Sequence, residues 1–358
     1  MTDGKKTIGI LTSGGDCPGL NAAIRGVAKP AVEIFDMKVF GFSNGYRGLM
    51  EGNAKELFQD DLSGILTMGG TILGTSRESF KKLRKSPEKI KKMIDNYNDF
   101  GLDCLVVLGG NGTHKTANLL NEKGLNVVGL PKTIDNDLYG TDFTFGFHSA
   151  VDIATGVIDR IHSTAQSHGR VMIIELMGHG AGWLTLYAGV AGGADVILIP
   201  ELPYSIDRVI EKLHEREKEG KKFSIVAVAE GAKTMDEAKM TKKDYKKYYK
   251  ELPYASMGYK VAAEIAAKSS FEIRVTVPGY QQRGGQPSAY DRVLATKFGT
   301  HGAQLIAKGD YGKMVSITGN KLTAVPLGKV AGKVKLVPKN HRLINSGRLL
   351  NTSFGQPR

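Results

Sequence analysis

The sequence predicts an α/β protein with two doubly wound, parallel-sheet domains. The first observation is a series of apolar runs of four to seven residues that alternate with helical patterns. The second is that glycine-rich turns follow these runs, as they do at the carboxyl ends of buried parallel strands. The third is the length, because 358 residues suffice for two domains with separate hydrophobic cores.

The apolar runs give the predicted strands in chain order. They are Thr7 to Leu11, Cys104 to Leu108, Asn126 to Leu130, Val171 to Glu175, Val196 to Ile199 and Ser224 to Val228. We expect helices on both faces of each sheet and ligands at the carboxyl ends of the strands. No low-complexity linker marks a domain boundary, and we place the break near Phe145. The polar segment from Lys239 to Pro253 is expected to be an exposed helix or excursion.

The formal net charge of +13 favours either a nucleic-acid partner or an anionic small-molecule substrate. The lysine-rich segments Lys81 to Lys92 and Lys239 to Lys250 also contain acidic residues, which is typical of solvated helix faces. No aromatic and basic nucleic-acid signature accompanies these lysines. We therefore expect an anionic small-molecule substrate and no nucleic-acid partner.

The two cysteines, Cys17 and Cys104, lie far apart and have neither metal-ligand nor redox spacing. Such cysteines suit a reducing compartment. The first residues lack the apolar core of a signal peptide, and no run approaches the roughly 18 apolar residues needed to cross a bilayer. The expectation is a cytoplasmic protein without a membrane partner.

Two glycine-rich loops connect a predicted strand to a helix. The first, Thr12 to Gly19, leads into the helical pattern from Leu20 to Arg25, and the second, Gly109 to Thr113, leads into a helix from His114 to Leu120. Glycines let backbone N–H groups approach a phosphate, although a tight turn alone would explain either loop. Neither loop has the P-loop ending or the dinucleotide spacing, so a Rossmann oxidoreductase is disfavoured.

A third loop collects reactive side chains after the strand that ends at Leu130. Pro131 to Asp137 contains two carboxylates, a hydroxyl, an amide and a lysine. Transfer of a phosphoryl group to a sugar hydroxyl needs a carboxylate to accept the proton and a second acid or amide to organise magnesium. An Asx-rich turn is the structural alternative. Farther on, Arg170, Arg274 and Arg283 flank strands or glycine turns, where guanidinium groups could bind a phosphate bidentately.

These segments together resemble the phosphofructokinase family from Ile8 to about Met314. The motifs that carry the resemblance are Gly14-Gly15-Asp16, Gly109-Gly110-Asn111-Gly112-Thr113, Pro131 to Asp137, Met177-Gly178 and Gln282-Arg283-Gly284-Gly285. The resemblance implies two Rossmann-like α/β domains with the active site in the cleft between them. It also implies a homotetramer or homodimer with shared active sites. The expected domains are residues 1–145 with about 283–331 for the phosphoryl donor, and residues 146–282 with about 332–358 for fructose 6-phosphate.

The resemblance also implies roles for individual residues. The phosphoryl donor would be held by Gly15, Arg77, Gly110, Asn111, Gly112 and Thr113. Fructose 6-phosphate would be bound by Lys132, Thr133, Asp135, Met177, Gly178, His179, Glu230, Tyr280 and Arg283, with Arg170 and Arg274 supplied by a neighbouring subunit. Asp135 would be the general base for the 1-hydroxyl group.

The chain departs from the best-known bacterial pattern at three positions. Asn111 stands where the family carries a magnesium-binding aspartate, and an amide is a weaker ligand for a hard cation. The position of the Mg²⁺ ion at Asn111 therefore stays open, with Asp137 as a second candidate ligand. Tyr280 replaces a sugar-binding histidine, and His179 replaces an arginine that follows Met177-Gly178.

The identity of the phosphoryl donor depends on Gly112 and Lys132. In the family, glycine at the first position leaves room for ATP, whereas pyrophosphate enzymes carry an aspartate that blocks the nucleotide. Lys132 is typical of pyrophosphate enzymes, although some ATP-dependent members carry it too. A lysine excludes no nucleotide, so ATP is favoured over pyrophosphate.

A non-catalytic regulatory subunit is a further alternative, which the intact Thr133 to Asp137 segment disfavours. Effectors, sedoheptulose 7-phosphate as a second acceptor and the role of residues 338–358 stay open.

Overall fold

The structure is a computed structural model that describes residues 4–357. Its strands are β1 (Thr7–Ser13), β2 (Lys38–Phe42), β3 (Ala54–Glu56), β4 (Cys104–Gly109), β5 (Val127–Pro131), β6 (Val171–Leu176), β7 (Val196–Leu198), β8 (Ser224–Ala229), β9 (Ile273–Thr276), β10 (Lys313–Thr318) and β11 (Lys321–Pro326). Its helices are α1 (Leu20–Glu33), α2 (Tyr46–Glu51), α3 (Phe80–Leu83), α4 (Pro87–Asp99), α5 (Asn111–Glu122), α6 (Phe147–His168), α7 (Trp183–Ala191), α8 (Ile206–Lys218), α9 (Lys242–Glu251), α10 (Met257–Ala266), α11 (Ala289–Ala307), α12 (Leu327–Val330) and α13 (Arg342–Leu349).

The chain forms two compact units. The first comprises the residues up to Ser149 together with Arg283–Lys335, and the second comprises Ala150–Gln282 together with the residues from Leu336 onward. Each unit contains one sheet whose central strands are parallel and are connected through helices. The predicted α/β fold with parallel sheets is therefore confirmed.

The first unit contains a seven-stranded sheet in the order β11-β10-β5-β4-β1-β2-β3. Its central strands are parallel, and an antiparallel pair lies at each edge. The chain passes from β1 to β2 on one side and later adds β4 on the other side, so the strand order reverses between β1 and β4. Loops diverge at such a switch point, and open α/β sheets bind their ligands there.

Helices cover both faces of this sheet because successive strand residues point to opposite sides. On one face Leu105, Val107 and Val127 pack into a buried cluster with residues of α2, α4 and α5. On the other face Val128 and Leu130 lie against α11, which packs along α1. The strand residues are buried on both sides, which explains why these strands are continuous apolar runs in the sequence.

The second unit contains a four-stranded parallel sheet in the order β7-β8-β6-β9. One face packs against α8 and α10 through a buried cluster that includes Val171, Val226 and Leu198. On the other face α7 lies against the sheet through Gly189, where a β-carbon would come within 2.8 Å of Ile197. The C-terminal segment adds a parallel bridge from Ser353 to Val196 at the edge of the sheet.

The predicted secondary structure is correct in outline and wrong at one functionally relevant boundary. Helix α5 begins at Asn111 rather than at His114, so Asn111 to Thr113 form its first turn instead of a loop. Gly110 has an extended backbone and caps this helix, which is why the chain turns directly from strand to helix. The exposed excursion is confirmed as α9, in which no residue is buried. The strands β2, β3, β10 and β11, which form the outer parts of the first sheet, were not predicted.

Lys335 anchors the loop that follows β5. Its ammonium group donates hydrogen bonds to Asn136 Oδ1 at 3.1 Å, to the carbonyl oxygen of Thr141 at 3.0 Å and to that of Asp142 at 2.7 Å. Burial lowers the pKa of Lys335 to about 8, although the nearby charges of Asp142 and Asp137 oppose this shift. A single, partly buried amine therefore holds a stretch of irregular backbone in place.

Within residues 4–357, none of the helices combines the length and the apolar character that a bilayer crossing requires.

Gly299→Ala is expected to destabilise the first unit. A β-carbon at Gly299 of α11 would lie 2.7 Å from the carbonyl oxygen of Ala23 in α1, and backbone cannot easily move away. We expect the free energy of unfolding to fall by about 1–3 kcal/mol, despite a gain of about 1 kcal/mol in helix propensity. The control is Gly156→Ala in α6, where the added carbon meets only the mobile end of Arg160. Equal unfolding midpoints for the two variants in a urea titration would contradict this packing argument.

Lys335→Met is expected to change how stability depends on pH. The pKa of Lys335 is about 8 in the folded state against an ordinary value of 10.5, so the unfolded chain binds more protons between these values. The stability of the wild type should therefore rise with pH in this window, and the variant should lack this contribution. The difference in unfolding free energy should change by on the order of 1–2 kcal/mol between about pH 8 and 9.5. Exposed Lys329→Met is the control, and a pH-independent difference for Lys335→Met would contradict the buried-amine interpretation.

Candidate active site

A cavity of about 460 Å³ opens at the carboxyl ends of the strands in the first unit. It lies at the switch point between β1 and β4, and its volume is within the range of small-molecule sites. The lining residues come from the loops after β1, β4 and β5, from the segment before α3, and from Arg283. They are Ser13, Gly14, Gly15, Asp16, Arg77, Glu78, Ser79, Phe80, Gly110, Asn111, Gly112, Thr113, Lys132, Thr133, Ile134, Asp135, Asp137 and Arg283.

The two glycine-rich segments meet because β1 and β4 pair in parallel. Ser13 lies opposite Gly109 in this register, and the hydroxyl group of Thr113 donates a hydrogen bond to the carbonyl oxygen of Ser13 at 3.2 Å. Gly14 has a φ of 91°, a conformation that disfavours other residues. The first turn of α5 presents backbone N–H groups that have no intrahelical acceptors, and it carries the positive end of the helix dipole. The arrangement suits an anionic ligand.

Three cationic side chains surround Gly15. A β-carbon there would lie 1.8 Å from Nη1 of Arg283 and 3.2 Å from Nη2 of Arg77, so a larger residue would have to displace these guanidinium groups. Lys132 is 3% exposed and donates a hydrogen bond to the carbonyl oxygen of Gly15. Burial lowers the pKa of Lys132, whereas the charge of Asp135 opposes the shift. Three cationic groups thus lie together around Gly15, where they could bind a phosphate, while Asp16, Glu78, Asp135 and Asp137 add carboxylates to the same lining.

The loop after β5 presents Asp135 to the cavity. Its shape is fixed by hydrogen bonds from the Asp135 N–H to Thr133 Oγ1 at 3.1 Å, and from the Thr144 hydroxyl to the Thr133 carbonyl oxygen at 2.6 Å. Asn136 has a φ of 50° and accepts a hydrogen bond from the Thr144 N–H at 3.1 Å. The turn that the sequence offered as the structural alternative is therefore present. Its hydrogen bonds are made by Thr133, Asn136 and Thr144, so the Asp135 carboxylate is not needed to form it. The carboxylate of Asp135 lines the cavity beside Lys132.

The oxygen ligands of this cavity are compatible with a magnesium ion. Asn111 donates through Nδ2 to the carbonyl oxygen of Lys333 at 2.5 Å, and its buried Oδ1 has no hydrogen-bond partner among residues 4–357. Asp135 and Asp137 add carboxylates to the same lining. The described residues contain no group of three or more His, Cys, Asp or Glu side chains that could hold a metal by themselves. This donor set fits Mg²⁺, which commonly takes one or two carboxylates and completes its shell with water and substrate phosphates.

In the second unit, four predicted residues meet at the carboxyl ends of β6 and β8. Glu230 accepts hydrogen bonds from the N–H groups of Gly178 at 3.2 Å and His179 at 2.7 Å. Gly178 has a φ of 141°, and a β-carbon there would lie 2.6 Å from the carbonyl oxygen of Ala181. The loop that begins at Met177 is therefore held in a strained, specific shape by the Glu230 carboxylate.

Arg170 and Arg274 lie at the opposite end of the same sheet. Arg170 immediately precedes β6, and Arg274 lies in β9 opposite Met172. Met177 follows β6 at its other end, seven residues from Arg170, which corresponds to about 23 Å along a strand. The structure thus brings Met177, Gly178, His179 and Glu230 together and separates them from this arginine pair.

Tyr280, predicted as a sugar ligand, lies in a short 3₁₀ helix and is 79% exposed. The neighbouring Gln282 was not predicted as a site residue, yet its Oε1 accepts a hydrogen bond from the N–H of Met177 at 3.2 Å. Phe80 and Lys335 were missed as well, because neither lies next to a glycine-rich motif. Asp16 also lines the cavity and was not predicted as a site residue. Its position next to Gly15 in the first glycine-rich loop was a signal that could have indicated it.

Comparisons with known proteins agree with this geometry. A family model described as Phosphofructokinase matches residues 7–306. An ATP-dependent 6-phosphofructokinase of Spirochaeta thermophila is 58% identical over 359 residues, covering 98% of each chain. A pyrophosphate–fructose 6-phosphate 1-phosphotransferase of Amycolatopsis methanolica is 45% identical over 331 residues, covering 92% of this chain and 96% of that protein.

The fold has a counterpart among solved structures. The phosphofructokinase of Pichia pastoris in the T-state superposes with a TM-score of 0.80 at 34% identity, and the match covers 92% of this chain. This chain spans 36% of the length of that yeast chain. The family match over most of the sequence, the identity to the relatives and the shared fold lead to one conclusion: the chain belongs to the phosphofructokinase family.

Proposed function

We propose that the chain is an ATP-dependent 6-phosphofructokinase, which transfers the γ-phosphoryl group of ATP to the 1-hydroxyl of fructose 6-phosphate in glycolysis. The observation that carries this proposal is the cavity in which Asp135 lies beside Lys132, with Arg77, Arg283 and two glycine-rich segments around it. The relative at 58% identity bears the same enzyme name. A cytoplasmic location is part of the proposal, and it is supported by the two free, buried cysteines.

The first unit is proposed as the phosphoryl-donor domain and the second as the fructose 6-phosphate domain. Gly15, Arg77 and the residues from Gly110 to Thr113 would hold the donor phosphates through backbone N–H groups and one guanidinium group. Asp137 and the unpaired Oδ1 of Asn111 would hold Mg²⁺. When bound, this ion would neutralise part of the negative charge on the phosphate oxygens.

The chemical step needs one proton acceptor and a set of fixed cations. The carboxylate of Asp135 would accept the proton of the 1-hydroxyl as the sugar oxygen attacks the γ-phosphorus. The bond between the γ-phosphorus and the bridging oxygen breaks, and ADP leaves. Lys132, Arg77 and Arg283 would balance the negative charge on the transferred group, and because they are already in place they need not reorganise during the step.

The sugar would be bound by residues at the carboxyl ends of β6 and β8, namely Met177, Gly178, His179 and Glu230, with Tyr280 nearby in sequence. Arg170 and Arg274 lie at the other end of β6, so one sugar phosphate cannot reach both groups within one unit. This separation supports a homo-oligomer, a dimer or tetramer, in which the arginine pair of one subunit binds the 6-phosphate in the site of its neighbour.

Three observations bear on the identity of the phosphoryl donor. A β-carbon at Gly112 would meet no atom within 4 Å, so the first turn of α5 leaves open space where a nucleotide could lie. Lys132 favours the second candidate, a pyrophosphate-dependent enzyme, because its buried ammonium can contact a transferred phosphate. The relative named for ATP is more similar to this chain than the one named for pyrophosphate. A regulatory subunit without activity is disfavoured because Asp135 is retained.

Asp135→Asn is expected to keep the fold and substrate binding but to lower kcat by about 100-fold or more, since the amide cannot accept the hydroxyl proton. The test is a steady-state assay with ATP, Mg²⁺ and fructose 6-phosphate, combined with calorimetric titration of fructose 6-phosphate. The matched control is Asp99→Asn at the exposed end of α4, which should leave kcat unchanged. Near-normal turnover of Asp135→Asn would remove this residue from the mechanism.

Gly112→Asp is expected to impair the use of ATP far more than the use of pyrophosphate. Two like charges about 4 Å apart at an effective dielectric near 20 repel by roughly 4 kcal/mol, or two to three orders of magnitude in binding. The open space around Gly112 should accommodate the side chain without unfolding. The measurement is the ratio of kcat/KM for the two donors.

The control for this prediction is Gly112→Asn, which adds a side chain of similar size without the charge. If Gly112→Asn changes the donor ratio as much as Gly112→Asp, size rather than charge selects the donor. A wild type that already prefers pyrophosphate would contradict the assignment of ATP.

A further inference from the structure

The arginine pair of the second unit is bound by a carboxylate from the same chain. Glu272 Oε1 lies 2.8 Å from Nη2 of Arg170 and 2.6 Å from Nη2 of Arg274. Both guanidinium groups therefore converge on one oxygen atom. Guanidinium groups bind phosphate oxygens through the same kind of charge-assisted N–H···O contact.

The sheet register fixes this arrangement. β6 and β9 are parallel neighbours in which Val171 pairs with Ile273, and the N–H of Val171 donates to the Glu272 carbonyl oxygen at 3.0 Å. Arg170 and Glu272 consequently lie side by side just before the two strands. Arg274 donates a second hydrogen bond, from Nη1 to the carbonyl oxygen of Ile273 at 2.8 Å. The backbone pairing thus places the three residues side by side, and their charged side-chain ends make the contact.

The carboxylate holds the arginines only weakly. The side chains of Glu272 and Arg274 are about half exposed, at 50% and 52%, and solvent-exposed ion pairs are easily replaced. Arg170 is less exposed, and its buried Nε has no hydrogen-bond partner among residues 4–357, so Glu272 does not satisfy this guanidinium completely. The Arg170 hydrogen bond holds the pKa of Glu272 below its usual range, so the carboxylate is charged at neutral pH.

We propose that Glu272 is a specificity-determining residue that competes with the 6-phosphate of the sugar for Arg170 and Arg274. This inference rests on the proposed function, in which these arginines bind that phosphate. A sugar phosphate dianion carries more charge and more oxygen acceptors than the carboxylate and can displace it. A ligand without a phosphate cannot displace the carboxylate. Glu272 therefore lowers the affinity of the arginine pair for every anion, so that only anions with a high charge bind.

Replacing Glu272 by glutamine tests the proposal, because the amide keeps the shape and loses the charge. With saturating ATP and Mg²⁺, Glu272→Gln should lower KM for fructose 6-phosphate by about two- to tenfold and leave kcat unchanged. Calorimetric titration with inorganic phosphate, in the absence of ATP, should show a decrease in Kd of similar size. The control Glu251→Gln removes an exposed charge at the end of α9 and should change neither quantity.

Different outcomes distinguish the two hypotheses. A KM and a phosphate Kd that are unchanged in Glu272→Gln would overturn the competition. Higher values would overturn it too, since they would show that Glu272 positions the arginines for binding. If the wild type does not phosphorylate fructose 6-phosphate with either donor, the proposed function fails. The phosphate titration still tests in that case whether Glu272 competes for the arginine pair.

Discussion

The parallel pairing of β1 with β4 is the constraint on which the candidate active site depends. It places Ser13 opposite Gly109, so the two glycine-rich segments leave the sheet next to each other, although 95 residues lie between them. β5 extends the same parallel ladder beside β4, and Lys132 follows it directly. Three chain segments that are distant in sequence therefore end at one edge. At Gly15 the guanidinium groups of Arg77 and Arg283 occupy the space that a side chain would take, so a larger residue would displace them.

Lys132 in the cavity and Lys335 behind the loop after β5 have different roles, which their hydrogen-bond partners explain. Lys132 is buried and bonded to the backbone, so it acts as a fixed cation at the base of the cavity. Lys335 is only partly buried, and its three acceptors lie in the loop that carries Asp135, so it stabilises the shape of this loop. Only a few of the basic residues of the chain, namely Arg77, Lys132 and Arg283, contribute to this cavity, and they lie together around Gly15.

In the second unit, the length of one strand separates two groups of proposed sugar-phosphate ligands. The six residues of β6 separate the loop shaped by Glu230 from the Arg170 and Arg274 pair. This separation is the structural basis of the proposed homo-oligomer, in which the two groups of one site come from different subunits. The contact of Glu272 with both arginines follows from the register of β6 and β9, and no pattern in the sequence indicated it.

The sequence by itself determined the α/β fold, the positions of the buried strands and the motifs that place the chain in its family. These features are local, since apolar runs, glycine turns and motif spacing are all encoded within short segments. The start of α5 at Asn111 was not predicted, because a glycine-rich segment is typical of a loop. The extended backbone of Gly110 instead lets the helix begin immediately after it. The tertiary structure decided which side chains meet, including Lys335 with Asn136 and Glu272 with the arginine pair. The physical reason is that strand register and burial, which no local pattern specifies, set the distances between groups remote in sequence.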